Sequence, residues 1–289
     1  MKGHGLGNDY LVLDPLALSF RLTPTAIQAI CDRHTGVGSD GILALAPSAV
    51  ADFGVRIFNP DGSEAEKSGN GLRILARFLK DAGYTRQRAF RVETLGGVAA
   101  IQLDLRGREV AGITVDIGRA SFASADIPVG GERREVVDEP LILDGEILRV
   151  TALSVGNPHC VVFMNSLDPA TLRRLGPRLE NHPAFPRRTN VQLARVISRR
   201  ALEILIWERG AGETQASGTS ACAAAAAAVR RGLADRAVTV SMPGGRLEVN
   251  VDRAWGITLT GPAELVCRGA FSGGLLKRLR ATSLKQTPG

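Results

Sequence analysis

The sequence predicts an α/β fold made of two copies of one unit, with short strands around a buried helix in each copy. Short apolar runs bounded by Gly, Pro, Asn or Asp recur along the chain and are typical of strands. Two other segments, Gly71–Leu79 and Ala221–Arg231, consist of helix formers with few polar positions. A helix that is apolar almost all round is buried inside a fold. A repeat between the two halves completes the prediction.

The runs that indicate strands include Tyr10–Leu13, Ile42–Leu45, Gly54–Phe58, Gly112–Ile117, Cys160–Phe163, Ala201–Trp207 and Ala237–Ser241. Gly7-Asn8 and Gly156-Asn157 each precede one of these runs and stand 149 residues apart (157 minus 8). Ser68-Gly69 and Ser217-Gly218 open the two helices at the same separation (217 minus 68). The repeat indicates two copies of one α/β unit.

The segment from Gly118 to Pro128 has the small residues and the proline of a connection between domains. We therefore expect a first domain over residues 1–117 and a second over residues 118–262. The sequence does not assign the tail, residues 263–289, to either domain; one option is that it returns to the first domain. A related pair of domains is expected to bind its ligand in the cleft between them.

Composition excludes several classes of protein. Hydrophobic residues make up 44% and charged residues 22% of 289, which is typical of folded globular chains. The longest apolar run, Ala221 to Val229, is about half of a membrane span, and no secretory signal is visible, so we expect a cytoplasmic protein without membrane contact. The net charge of +7 is compatible with binding to nucleic acid. Aromatic residues, which stack on bases, make up only 4% of the chain, so such binding is disfavoured.

The two helix starts carry the first chemical signal. Backbone N–H groups in the first turn of a helix have no partner within it, and the helix dipole is positive there. Gly69 and Gly218 allow a ligand to approach that backbone closely. Such a position favours a carboxylate or a phosphate. A serine N-cap followed by glycine is common at any helix start, but the repeated pair favours a site for one small anion.

Polar residues around these loops suit an amino acid, with its ammonium and carboxylate groups. They are Asn8, Asn59, Asn157, Asn190, Glu208 and Arg209. His159 and Glu208 are the titratable members, and either could tune the pKa of a neighbouring group. The residues Gly36 to Gly41 match G-x-G-x-x-G but follow a helical segment, so a dinucleotide site is disfavoured. No pyridoxal phosphate lysine motif and no zinc pattern stand out, so we expect neither cofactor nor metal.

These residues resemble the diaminopimelate epimerase family, whose members are cofactor-independent isomerases. The resemblance runs from GHGLGNDY through CDRHTGVGSDGIL, FNPDGSEAEKSGNGLR, VGNPHCVVF and RTNVQ to WERGAGETQASGTSACAAA, and covers the chain to about Gly261. It implies two pseudo-symmetric, barrel-like α/β domains, each a mostly antiparallel sheet around a central helix. It also implies conversion of LL-diaminopimelate to the meso form in lysine biosynthesis by two-base proton transfer.

By motif match, the resemblance implies substrate contacts from Asn8, Asn59, Asn157, Asn190, Glu208 and Arg209. It places Gly69, Asn70, Gly218 and Thr219 at the α-carboxylate, and His159 and Glu208 as the pair that adjusts the catalytic groups. The family's two catalytic residues are cysteines, and both positions hold serine here, Ser68 and Ser217. Two explanations stay open, namely an engineered Cys-to-Ser pair and a natural branch with a slower or different reaction.

The residues also allow other functions. A racemase or isomerase of another small amino or keto acid on the same fold could use Glu208 or Glu66 as a single base. The non-enzymatic alternative is a basic protein that binds nucleic acid. We expect no nucleic-acid partner. The expected partner is a small amino-acid substrate, with a second copy of the chain as a possible homodimer.

Overall fold

A computed structural model describes residues 1–107 and 109–284 of the chain. The chain divides into two units, which are described one at a time. Unit 1 takes Met1–Val115 and the C-terminal segment from Pro262, and unit 2 takes Asp116–Gly261. The division falls inside the strand Glu109–Arg119, so the segment predicted as a connection from Gly118 begins in a strand. Residues 285–289 of the predicted tail lie outside the described residues.

In the described residues, unit 1 combines paired strands with three α-helices. Its strands are β1 (Lys2–Gly5), β2 (Asn8–Leu13), β3 (Ile42–Ala46), β4 (Phe53–Phe58), β5 (Glu64–Ala65), β6 (Ala89–Thr94), β7 (Gly97–Arg106), β8 (Glu109–Arg119) and β18 (Glu264–Cys267). Its helices are α1 (Pro24–Cys31), α2 (Gly69–Asp81) and α5 (Gly273–Leu284).

Unit 2 repeats this plan with two helices. Its strands are β9 (Glu139–Leu143), β10 (Glu146–Ser154), β11 (Pro158–Phe163), β12 (Asn190–Ser198), β13 (Ala201–Glu208), β14 (Gly212–Thr214), β15 (Ala237–Met242), β16 (Gly245–Val251) and β17 (Gly256–Gly261). Its helices are α3 (Pro169–Glu180) and α4 (Gly218–Arg230).

The strands of the two units pair in the same pattern. In unit 1, β2 and β3 are parallel, as are β4 and β6, and the other pairs are antiparallel. In unit 2, β11 and β12 are parallel, as are β13 and β15, within an otherwise antiparallel sheet. The registers also agree, because the pair Leu11–Ile42 of unit 1 corresponds to Cys160–Val191 of unit 2 at the separation of 149 residues.

Each unit encloses one buried helix, α2 in unit 1 and α4 in unit 2. Helix α4 packs against strands from β10 to β17, and every residue from Ala221 to Ala228 is inaccessible to solvent. Alanine suits this position because it has the highest helix propensity and lets the surrounding strands approach the helix axis. Both helices begin earlier than the apolar pattern predicts, at Gly69 and Gly218, directly after the two serines. The predicted α/β fold class, with a mostly antiparallel sheet around a central helix in each half, is confirmed.

Candidate functional site

Ser68 is the N-cap of α2, and its hydroxyl accepts a hydrogen bond in that role. Its backbone is extended, and its Oγ accepts a hydrogen bond from the Gly71 N–H at 3.0 Å. The Tyr10 hydroxyl lies 3.4 Å from the same oxygen. A Cβ at Gly71 would lie 2.9 Å from Leu43 Cδ2 and 3.2 Å from Ser68 Oγ, so a side chain there would displace the end of Leu43. The absence of a side chain therefore lets the helix start close to Ser68.

Ser217 takes the same place before α4 but has a different environment. Its Oγ makes no capping hydrogen bond and lies 3.5 Å from Thr219 Oγ1. The residue is 6% exposed, and Ser220 stands where unit 1 has Gly71. The hydroxyl of Ser220 accepts a hydrogen bond from Gln192 Nε2 at 3.0 Å. The two serines are equivalent in the repeat, but only Ser68 stabilises its helix as a cap.

A glycine turn holds the segment before each serine. In unit 1 the Gly96 N–H donates to the carbonyl of Glu66 at 2.8 Å, two residues before Ser68. In unit 2 the Gly244 N–H donates to the carbonyl of Gln215 at 2.8 Å, two residues before Ser217. A Cβ at Gly96 would lie 2.9 Å from the Glu66 oxygen, so only glycine allows this approach without a shift. Both serine loops are therefore fixed by the turn between two later strands.

Asn8 and Asn70 belong to one chain of hydrogen bonds in unit 1. Asn8 Nδ2 donates to Asp40 Oδ2 at 3.0 Å, and Asn8 Oδ1 accepts from Asn70 Nδ2 at 3.1 Å. Asn70 Oδ1 in turn accepts from the guanidinium of Arg73 at 2.8 Å. Because Asp40 only accepts and Arg73 only donates, these end groups fix the orientation of both amides. The predicted substrate residues Asn8 and Asn70 are thus held together.

Asp9 follows Asn8 and anchors the same loop. Burial opposes its ionisation, but hydrogen bonds from Arg33 and Lys2 outweigh this and lower the pKa of Asp9 to about 2. Arg33 also bonds Asp40 at 2.6 Å. The glycine-rich loop Gly36 to Gly41, for which a dinucleotide site was disfavoured, follows α1. It places Asp40 within hydrogen-bond distance of Asn8. Charge pairing therefore stabilises the loop that carries Asn8.

His159 lies on β11 at the position that Tyr10 has on β2 and is inaccessible to solvent. Its Nδ1 lies 3.3 Å from Gln192 Oε1 and its Nε2 lies 2.9 Å from Asn157 Oδ1. Burial lowers the pKa of His159 to about 3, with the Gln192 hydrogen bond opposing and the charge of Arg209 adding to the effect. The ring is therefore neutral at pH 7 and connects Asn157 to Gln192 and Ser220.

Asn190 and Arg209 meet at the end of β13. Asn190 is buried, its Nδ2 donates to the carbonyl of Pro158 at 2.8 Å, and its Oδ1 accepts from the backbone N–H of Arg209 at 3.0 Å. The guanidinium of Arg209 is exposed and donates to the carbonyl of Arg187 at 3.2 Å. Glu208 is half-buried beside it. The structure thus brings together Asn157, His159, Asn190, Glu208 and Arg209 in unit 2.

The remaining predicted residues lie in one turn of unit 1 and in the first turns of α2 and α4. Asn59 follows β4, and its Nδ2 donates to Ser63 Oγ at 2.9 Å within the same turn, so the described bond is local. Gly69 and Gly218 are the first residues of α2 and α4 and are buried. Thr219 is half-buried in the first turn of α4. Their roles toward substrate stay predictions.

Several polar residues of this site were not predicted from sequence, among them Asp40, Gln192 and Arg73. The sequence did contain a signal for Asp40, because this residue lies in the glycine-rich loop that follows a helical segment. Gln192 also had one, because it follows Asn190 by two residues on a strand and therefore points to the same face. Arg73 had none, because an arginine among apolar residues of a helix is ordinarily placed at the surface.

Burial keeps the thiols of Cys160 and Cys31 protonated. Cys160 is buried, and burial raises the pKa of its thiol to about 12. Cys31 is buried as well, and burial raises the pKa of its thiol. Within residues 1–107 and 109–284, no group of His, Cys, Asp and Glu is arranged to hold a metal ion. In the same part of the chain, no helix has the length and apolar character needed to cross a membrane.

The neutral state of His159 predicts a loss of stability in acid. The unfolded chain protonates this histidine near pH 6.5, whereas the folded protein does so only near pH 3. The unfolded state therefore binds more protons between these values, and stability falls as the pH falls from 6.5 toward 3. Compared with His159→Gln, the free energy of unfolding of the parent should fall by about 1 kcal/mol more per pH unit between pH 6 and 4.

Urea unfolding at several pH values measures this difference. Between pH 8 and 7.5 the imidazole is largely neutral in both states, so the parent and His159→Gln should there have nearly parallel pH dependences. Parallel curves between pH 6 and 4 as well would contradict a neutral, buried His159.

Comparison with known proteins identifies the family. A family model described as diaminopimelate epimerase matches residues 1–123 and 151–266. Diaminopimelate epimerase 2 of Nostoc sp. is 47% identical over 273 residues, which are 94% of this chain and 94% of that protein. Diaminopimelate epimerase of Pelotomaculum thermopropionicum is 43% identical over 274 residues, which are 93% of this chain and 97% of that protein.

Solved structures agree on the fold. A hydroxyproline epimerase from Agrobacterium vitis, solved with bound trans-4-hydroxy-L-proline, superposes with a TM-score of 0.70 at 15% identity over 92% of this chain and 90% of that one. A probable proline racemase from Agrobacterium radiobacter, solved with bound carbonate, gives 0.68 at 15% identity over 96% and 94%. Fold, motif order and sequence identity over nearly the whole length agree, and the chain belongs to the diaminopimelate epimerase family.

Proposed function

We propose that this chain is an isomerase that epimerises diaminopimelate from the LL to the meso form by moving the proton on one α-carbon. The observation that carries the proposal is the pair of equivalent helix starts, Ser68-Gly69 and Ser217-Gly218, at the same register of two similar units. Each offers first-turn N–H groups and the positive end of a helix dipole, which stabilise a carboxylate. The family to which the chain belongs supports this substrate.

Ser68 and Ser217 are proposed as the acid–base pair, one removing the α-proton and the other supplying a proton. A hydroxyl is a weak acid, so its alkoxide is scarcely available without a strong partner. Ser68 is held by Gly71 and lies near Tyr10, and Ser217 lies near Thr219, so the hydrogen-bond partners described for both are neutral groups. Turnover is therefore expected to be slow in this chain.

The other polar residues are proposed to recognise the two ends of the substrate. Gly69, Asn70, Gly218 and Thr219 would hold the α-carboxylate at the reacting carbon through the first helical turns. Amides and charged groups would bind the remaining ammonium and carboxylate groups. These groups are Asn8, Asn59, Asn157, Asn190, Glu208 and Arg209. His159 is proposed to act as a neutral hydrogen-bonding residue that orients Asn157.

The biological setting is proposed on the same basis. Lysine biosynthesis follows from the family, and the cytoplasm is the proposed compartment. A homodimer is also proposed, with the small-molecule substrate as the ligand of each copy.

Proton NMR in deuterium oxide tests the activity. With LL-diaminopimelate and a high concentration of this chain, the α-proton signal should decrease slowly, because epimerisation exchanges that proton with solvent. The double variant Ser68→Cys/Ser217→Cys, measured under the same conditions, should lose the signal faster.

Two outcomes would contradict the proposal. Absence of exchange for both proteins would remove diaminopimelate as the substrate. Exchange on a different amino or keto acid, with none on diaminopimelate, would favour an isomerase of another small acid.

A further inference from the structure

Glu180 ends helix α3 and accepts hydrogen bonds from both sides of the segment that carries Glu208 and Arg209. It is buried, with 6% of its surface exposed. Its Oε2 accepts from the indole N–H of Trp207 at 2.8 Å, and its Oε1 accepts from the backbone N–H of Gly210 at 2.8 Å. One carboxylate therefore fixes the residue before Glu208 and the residue after Arg209.

The segment is also held in the middle. The backbone N–H of Arg209 donates to Asn190 Oδ1 at 3.0 Å, and the guanidinium of Arg188 bonds Glu180 Oε1 at 3.1 Å. Trp207, Arg209 and Gly210 are thus each bound to a buried side chain. Hydrogen bonds to a charged acceptor are the stronger kind, so Glu180 contributes more to this arrangement than a neutral acceptor would.

Packing on α3 is adapted to the same contact. A Cβ at Gly176 would lie 2.7 Å from the Trp207 ring, so glycine is needed for the indole to approach the helix and reach Glu180. At the equivalent helix end in unit 1, 149 residues earlier, the chain has Cys31 instead of a carboxylate. The corresponding helix end of unit 1 therefore forms without a carboxylate at this position, so the contact of Glu180 with residues 207–210 is specific to unit 2.

We propose that Glu180 is a positioning residue for substrate recognition, holding residues 207–210 so that Glu208 and Arg209 present their binding groups. This inference rests on the proposed function, since it assigns Glu180 to the substrate contacts proposed for Arg209. It predicts that disturbing the carboxylate weakens binding through Arg209 while the rest of unit 2 keeps its structure.

Glu180→Gln is the sharpest variant because it retains the size of the side chain and replaces one acceptor oxygen with an NH₂ donor. That donor must face the N–H of either Trp207 or Gly210, so one hydrogen bond is lost. Calorimetric titration with diaminopimelate should show a Kd about 10-fold higher than that of the parent chain. Hydrogen exchange of the Gly210 amide should become faster. Glu203→Gln, which disturbs a surface ion pair with Arg195, should change neither quantity.

A double-mutant cycle with Arg209→Ala separates positioning from general stability. If Glu180 acts through Arg209, the effect of Glu180→Gln on Kd should nearly vanish once Arg209 is removed. If Glu180→Gln does not fold, Trp207→Phe removes the indole N–H together with part of the ring system and should raise Kd about 3-fold. An unchanged Kd in whichever variant folds, or an equal effect in the Arg209→Ala background, would overturn the role of Glu180. Failure of the parent chain to bind diaminopimelate would instead overturn the proposed function, and this inference with it.

Discussion

Replacing Ser68 and Ser217 together with cysteine is expected to raise the rate of α-proton exchange on diaminopimelate by about 10² to 10⁴, the range that a positioned acid–base group supplies. A thiol near a helix N-terminus forms a thiolate at accessible pH, whereas a hydroxyl does not. The rate should also rise with pH as the thiolate forms. Deuterium exchange followed by NMR measures both the rate and its pH dependence.

The single variants sharpen this expectation. Epimerisation needs a base and an acid together, so each single cysteine should give less than half of the double variant's gain on a logarithmic scale. Ser198→Cys adds a thiol at an exposed position outside the site and should leave the rate unchanged. A double variant no faster than the parent would show that these positions are not the acid–base pair. Glu208 would then be the next candidate base to test.

Stability should respond differently to the two substitutions. Ser68 Oγ accepts the Gly71 N–H, so Ser68→Cys replaces a good cap with a poorer one and should cost about 1 kcal/mol of the free energy of unfolding. Ser217 makes no capping hydrogen bond, so Ser217→Cys should cost less. Urea unfolding of both single variants distinguishes these values.

The repeat in the sequence predicted more of the fold than local patterns did. A constant separation of 149 residues between Asn8 and Asn157, and between Ser68 and Ser217, is matched in the structure by equal strand registers and equal helix lengths. A shift of one residue in strand pairing would turn buried side chains to the solvent, so the apolar pattern fixes the register. Because both halves carry the same pattern, they have the same register. The apolar pattern placed both central helices but not their starts, because the first turns are made of Gly, Asn, Ser and Thr.

The properties of the site that sequence did not predict depend on burial. The pattern identified His159 as titratable, but its pKa near 3 results from an environment that later strands and helix α4 create. The same holds for Asp40, whose importance lies in its contact with Asn8 rather than in its own neighbours along the chain. Residue type and spacing indicate which groups are available, whereas solvent exclusion decides their charge and their partners.

Arg73 is the buried residue whose replacement should have the largest effect on folding. It lies in the second turn of α2 with no exposed surface, close to Asn70 and to the backbone of β1. Its guanidinium donates to the carbonyl of Pro262 at 3.1 Å, the carbonyl of Gly69 at 3.2 Å and Asn70 Oδ1 at 2.8 Å. It therefore joins the start of the central helix to the C-terminal segment that completes unit 1.

Arg73→Met should lower the free energy of unfolding by about 2 to 3 kcal/mol, a sizeable share of the total for an ordinary domain. Methionine can occupy much of the arginine's space, but it leaves Asn70 Oδ1 without its buried donor and removes the side-chain hydrogen bonds to the carbonyls of Gly69 and Pro262. Arg77→Met, one turn later, is the matched control. Arg77 pairs with Asp81 at a half-buried position, so the cost there should stay below about 1 kcal/mol. Equal losses of stability in urea unfolding would show that the network around Arg73 contributes no more than a surface ion pair.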